Sequence, residues 1–93
     1  VRRLNDAGTP AYLVRRGDAT RGTLLVKMNL LEKGCEVWTQ VRDMEGDLTW
    51  MKVLKGQTVN NADADEYIAR AAGRDPDLWV VEVEDRNGIN PFA

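Results

Sequence analysis

Ninety-three residues, 43% of them hydrophobic and 30% charged, describe one modest globular core and exclude a disordered chain. No apolar run approaches the roughly 18 residues of a membrane span, so no membrane role is expected. The net charge of −2 disfavours nucleic acid as a bulk partner.

The chain opens on Val1 inside what reads as the end of a helix over residues 1–7. Native residues upstream of Val1 are therefore expected. Gly8 and Pro10 stop that helix. Ala11-Tyr12-Leu13-Val14 reads as a short strand, turned by Gly17-Asp18.

Leu24 to Leu31 is the second strand, with Leu24, Val26, Met28 and Leu30 on one face and Leu25, Lys27, Asn29 and Leu31 on the other. Gly34, free to take positive φ, closes a hairpin to a third strand over Cys35 to Arg42. A two-residue loop sets Leu30 opposite Val37, Met28 opposite Thr39 and Val26 opposite Val41. A three-residue loop would place Lys27 and Asn29 on that face instead. Matching apolar with apolar favours the first register.

Met44-Glu45-Gly46 turns the chain into a fourth strand, with Val37 opposite Val53, Thr39 opposite Met51 and Val41 opposite Thr49. The expected core face then holds Val26, Met28, Leu30, Cys35, Val37, Val41, Met51 and Val53. The other face holds Leu25, Leu31, Trp38, Leu48, Trp50 and Leu54 among Lys27, Glu36, Gln40, Arg42 and Lys52. In this register Trp38 faces Lys52 and lies diagonal to Trp50.

Asn60 or Asn61 caps a second helix whose first turn carries Asp63, Asp65 and Glu66. Ala64, Tyr67, Ile68, Ala71 and Ala72 form its buried stripe, and Gly73 is expected to end it. Pro76 forbids a helix through the next segment, where Trp79, Val81 and Val83 share one face of a buried strand. Asn87-Gly88 is a turn signal, and the tail ends Pro91-Phe92-Ala93. The order α-β-β-β-β-α-β predicts a single α+β domain over residues 1–93. Its expected sheet is antiparallel, of about five strands, with helices mainly on one face.

The run Asp75-Pro76-Asp77-Leu78-Trp79-Val80-Val81-Glu82-Val83-Glu84-Asp85-Arg86 resembles the C-terminal signature of an alphaproteobacterial family catalogued as domain of unknown function 1491. The Val1-Arg2-Arg3-Leu4 start and the helix at residues 67–72 are similar to that family too. The resemblance implies a bacterial cytoplasmic protein of about this size with a further N-terminal stretch. It implies no activity and transfers no catalytic residue.

Candidate chemistry is sparse. There is no His, and the lone Cys35 has no His to activate it, so thiol-protease pairing and Cys-rich zinc sites are excluded. Cys35 reads as a small apolar residue in a reducing compartment, consistent with a cytoplasmic location. Glu82 and Glu84 share a face and, with Asp85, could form a carboxylate-based metal-binding or hydrolytic site. None of the established calcium-loop or two-metal spacings is present, and solvated strand-end acids are the plainer account. Arg15, Arg16 and Arg21 could hold a phosphate or an acidic peptide, against the plainer reading of a solvated loop. Gly17 and Gly22 lack the Lys-Ser/Thr that a phosphate loop requires.

The aromatic face is the better lead. Trp38, Trp50, Lys52, Leu48 and Leu54 combine indoles with a polar rim, as an interface centre does. The chain is thus expected to be a non-enzymatic interaction or self-association module, with a second copy or another protein as partner. No catalytic residue, cofactor or metal is assigned.

Overall fold

The computed structural model describes residues 11–88. Five strands form one sheet: β1 Ala11–Arg15, β2 Leu24–Asn29, β3 Cys35–Arg42, β4 Leu48–Lys52 and β5 Trp79–Glu84. One α-helix, α1 at Asn61–Arg74, lies between β4 and β5 in sequence. The expected helix over residues 1–7 and the tail after Gly88 lie outside the described residues.

The strand order is β1-β5-β2-β3-β4. This corrects the expectation of a purely antiparallel sheet. β5 enters between β1 and β2, antiparallel to β1 but parallel to β2, with Leu24 opposite Trp79 and Asn29 opposite Glu84. The cause is connectivity. A helix between two strands returns the chain to the end where the first strand began. β5 therefore runs in the direction of β4, which is also the direction of β2.

The β3–β4 hairpin has the expected register, with Trp38 opposite Lys52, Thr39 opposite Met51 and Val41 opposite Thr49. Gly46 sits at φ 85 and donates its N–H to the Asp43 carbonyl at 3.0 Å, as a three-residue loop with a left-handed last residue requires.

The β2–β3 register differs from the favoured one. Lys27 pairs with Val37, Asn29 with Cys35 and Val26 with Trp38. The connection is longer than a two-residue loop, with a 3-10 turn at Leu31–Lys33 closed by Gly34 at φ 104. Gly34 is required for space as well as φ: a Cβ there would stand 2.8 Å from the Val59 carbonyl oxygen. Apolar matching failed because it assumed that lysine stays outside. Lys27 is only 4% exposed, on the helix side of the sheet.

The sheet therefore separates two apolar clusters. On the helix side, Leu25, Cys35, Val37, Leu78 and Val80 pack against Ala64 and Ile68 of α1. On the other side, Ala11, Val26, Met28, Leu30, Val81 and Val83 form a second buried cluster, against which Trp38 and Trp50 pack. Among the described residues, no helix lies over that second face.

Asn60 caps α1, its side-chain oxygen accepting the Asp63 N–H at 2.7 Å. The helix runs past Gly73, the expected stop, to Arg74. Asp75 donates its N–H to the Ala71 carbonyl and takes φ −132, and Pro76 follows.

The loop before β2 docks on the start of β5. The Asp18 N–H donates to the Asp77 carbonyl at 3.0 Å, and the Trp79 indole N–H donates to the Asp18 carbonyl at 2.7 Å. The backbone N–H of Arg21 and then the hydroxyl and N–H of Thr20 hold the Asp18 carboxyl below its ordinary range. Gly17 and Gly22 allow this approach. A Cβ on Gly22 would stand 2.5 Å from the carbonyl oxygens of both Asp18 and Asp77.

Two glycine substitutions should therefore act in opposite directions in urea unfolding. Gly22→Ala is expected to lower stability by about 2 kcal/mol, an overpacking cost against backbone that cannot move aside. Gly73→Ala, in the last turn of α1 with nothing near its Cβ, is expected to raise it by about 0.5–1 kcal/mol.

Candidate functional site

Two places on the molecule gather chemically distinctive side chains: a polar cleft on the helix side of the sheet, and the tryptophan patch on the opposite side.

The cleft, of about 880 Å³, lies between the start of α1 and the ends of β2 and β5. Its floor is the buried Lys27 ammonium. Three acceptors surround it: the Asp65 carboxylate at 2.7 Å, the Glu82 carboxylate at 3.5 Å, and the Asn61 side-chain oxygen. Asn61 and Asp65 are one helical turn apart, so one face of α1 delivers both. Asn29 donates to the second oxygen of Glu82 at 3.1 Å and accepts the Leu31 N–H at 2.8 Å. Leu31, on the rim, sits at φ 61, a left-handed conformation costly for a branched side chain.

Burial, the largest influence on Lys27, pushes its pKa down. The hydrogen bond that Lys27 donates to Asp65 and the charges of Glu82 and Asp65 outweigh it, and the net direction is upward from the ordinary value. The ammonium is therefore charged and occupied, the opposite of a nucleophilic lysine. Burial also raises the Cys35 thiol, against the pull of Lys27. A raised, buried thiol is a poor nucleophile, so the reading of Cys35 as a small core residue holds.

Glu82 and Glu84 do share a face, but they are held apart in function. Glu82 answers Lys27 and Asn29. Glu84 accepts the Tyr12 hydroxyl at 3.0 Å, which holds the phenol above its ordinary pKa. Asp85 is committed to the turn, accepting the Asn87 N–H at 3.1 Å. Among the described residues no group of three or more carboxylate or thiol side chains converges as a metal site. Two of the three arginines grouped by sequence, Arg15 and Arg16, are engaged within the fold. Arg15 donates to the Pro76 carbonyl at 2.8 Å, and Arg16 lies 5.9 Å from the Trp79 ring centre.

On the tryptophan patch, the Lys52 ammonium stands 5.2 Å from the Trp38 ring centre and 2.9 Å from the Glu36 carboxylate. Trp38 and Trp50 are half-buried against the second cluster, and Leu48 is 58% exposed beside them. Leu54 does not belong to this group. The chain leaves β4 through a 3-10 turn at Leu54–Gly56 and carries Leu54 to the helix-side cluster. Leu25, expected beside the indoles, is likewise in the helix-side core, and Leu31 is at the cleft rim.

Sequence reasoning missed Lys27, Asn29, Asn61 and Asp65 as a group. The available signal was a single lysine inside the apolar strand Leu24–Asn29, with an acid and an amide four residues apart on the next helix.

Among the described residues these features define an α+β fold in which one helix and a mixed five-stranded sheet enclose a buried lysine held by carboxylates. The chain belongs to the family described as protein of unknown function (DUF1491), whose profile matches residues 1–93. A crystal structure of a DUF1491 family protein from Caulobacter crescentus CB15 is 37% identical, with a TM-score of 0.82 over 96% of this chain and 82% of that one. An NMR structure of a DUF1491 family protein from the same organism is 38% identical, with a TM-score of 0.79 over 96% and 80%. A solution structure of a protein from A. tumefaciens shares the fold at 24% identity and a TM-score of 0.72, covering 90% and 76%. No curated protein matches the chain. No helix among the described residues is long and apolar enough to cross a membrane.

Replacing Lys27 tests the cluster. Asp65 and Glu82 keep side-chain exposures of 57% and 22%, so water can reach them once the ammonium is gone. Lys27→Met leaves Glu82 without its cation and is therefore expected to lower stability at pH 7 by about 2 kcal/mol, below the loss for a fully enclosed pair. Because the folded ammonium titrates above the ordinary 10.5, its contribution is present in full below that pH and fades as pH rises through the folded value. Urea unfolding at pH 7 and in the alkaline range, with Cys35→Ala in both proteins, should show a smaller alkaline loss for Lys27→Met.

Proposed function

We propose that this chain is a non-enzymatic interaction module of the cytoplasm, and that it docks a second copy of itself through Trp38, Trp50, Lys52 and Leu48. One observation carries the reading: Trp38 and Trp50 are only half-buried on one face of the sheet, and exposed apolar side chains lie on the strand and turn beside them. Leu48 and Met51 lie on β4, and Met44 lies on the turn before it. Exposed apolar area gathered in this way marks association surfaces.

The cleft supports the same reading from the other side. Its ammonium, its amides and Glu82 satisfy one another, and its thiol is held protonated. None of these groups is poised to attack or to move a proton. The single buried Cys35 suits a reducing compartment.

Sedimentation equilibrium over a wide concentration range tests the proposal. The wild type should pass from monomer to a larger species. Trp50→Glu should stay monomeric with an unchanged far-ultraviolet circular dichroism spectrum. A wild type that remains monomeric throughout overturns the reading.

A further inference from the structure

We infer that the end of the sheet where β2 begins and β3 finishes is an anion site, taking the phosphate group of a small phosphorylated molecule on Arg21, Gln40 and Arg42. None of these residues belongs to the proposed docking surface, and the site does not depend on it.

The place is a cavity of about 360 Å³ between the loop before β2 and the β3–β4 hairpin, a size suited to a small molecule. Arg21 lines it from the loop. Gln40 and Arg42 line it from the end of β3, and as alternate residues of one strand they share a face.

Its charge is one-sided. The chain carries 15 acids against 13 bases, yet no Asp or Glu lines this cavity among the described residues. Asp18 and Asp43, the acids closest to the two arginines in sequence, are turned to backbone donors. Asp18 accepts the N–H groups of Thr20 and Arg21, and Asp43 those of Glu45 and Asp47. Lys27, Lys52, Arg70 and Arg86 each form an ion pair, whereas neither Arg21 nor Arg42 does among the described residues.

Its donors are fixed but not used up. Arg42 gives one guanidinium nitrogen to the Gly46 carbonyl at 2.7 Å, which anchors the group without neutralising it. The side-chain oxygen of Gln40 accepts the Leu24 N–H at 3.2 Å, so its NH2 is the end left to donate. The Arg21 backbone is held by Asp18 at 2.6 Å, while its guanidinium stays unspent among the described residues. Guanidinium forks match phosphate and carboxylate. Donors arriving from two elements suit a tetrahedral group with three free oxygens better than a planar one with two. A phosphate monoester, largely dianionic at neutral pH, also balances two cations.

Nuclear magnetic resonance titration of the labelled protein with inorganic phosphate, at constant ionic strength, tests the site. Saturable shifts are expected at Arg21, Gln40 and Arg42, and none with chloride in its place. Arg21→Gln and Arg42→Gln should each weaken binding by about tenfold, and Arg74→Gln, on α1, should leave it unchanged. Arg42→Gln also removes the bond to Gly46; if it disturbs the hairpin, Arg21→Gln decides. Glycerol phosphate should bind at least as tightly as inorganic phosphate. Shifts that chloride reproduces, binding that survives Arg21→Gln, or a site that takes phosphate and refuses glycerol phosphate would each overturn the inference.

Discussion

The arrangement depends on a charge buried in the middle of a sheet. The Lys27 ammonium sits on the second strand, beneath the first turns of the helix, with carboxylates from the helix and from β5 on either side. Desolvating an ammonium costs several kcal/mol, and that cost is offset only where acceptors are placed around it. Asp65 and Asn61 supply this from α1, and Glu82 from the strand beside Lys27. The cluster therefore ties three elements distant in sequence. It fixes the helix over β2 and leaves the cleft beside its first turn.

How much of this was legible follows from which rule each element obeys. The β3–β4 hairpin was readable because its turn chemistry and its hydrophobic pattern agree: Gly46 closes a three-residue loop, and the ladder then places Trp38 against Lys52. The cap of α1 was readable because Asn60 precedes an amphipathic run whose first turn is acidic. The β2–β3 register was not, since apolar matching excludes the lysine that the fold buries. Leu30 leaves the ladder to enter the second cluster, and the chain takes a longer path through Leu31–Lys33. The parallel placement of β5 was implicit in a helix lying between two strands, but counting strands does not reveal it.

The candidate sites divide in the same way. Trp38, Trp50, Lys52 and Leu48 are neighbours because they lie on two strands whose register was correctly read. Leu54 was added by extending that alternation past Lys52, where the strand ends. Leu54 and Lys55 both take positive φ there, at 58 and 60, and the chain bends toward the helix. Glu82, Glu84 and Asp85 were grouped by spacing, yet each finds a different partner. The glycines at 17 and 22 are needed for backbone approach to Trp79 rather than for a phosphate.

The parallel β2–β5 pair also sets an order of events during synthesis. Residue 24 lies beside residue 79, so the strand that completes the middle of the sheet emerges from the ribosome after β1 through β4 and the helix. Until then β1 lacks β5, the strand it pairs with, and the inner edge of β2 lies open. The β2–β3–β4 meander can form from contacts close in sequence, but sealing the sheet waits for a strand that must slot between two others. Pairings so distant along the chain close slowly, because the intervening loop loses its freedom before any contact rewards it. A nascent chain that has not yet released β5 thus carries an unsealed seam, just where the finished protein is most completely buried.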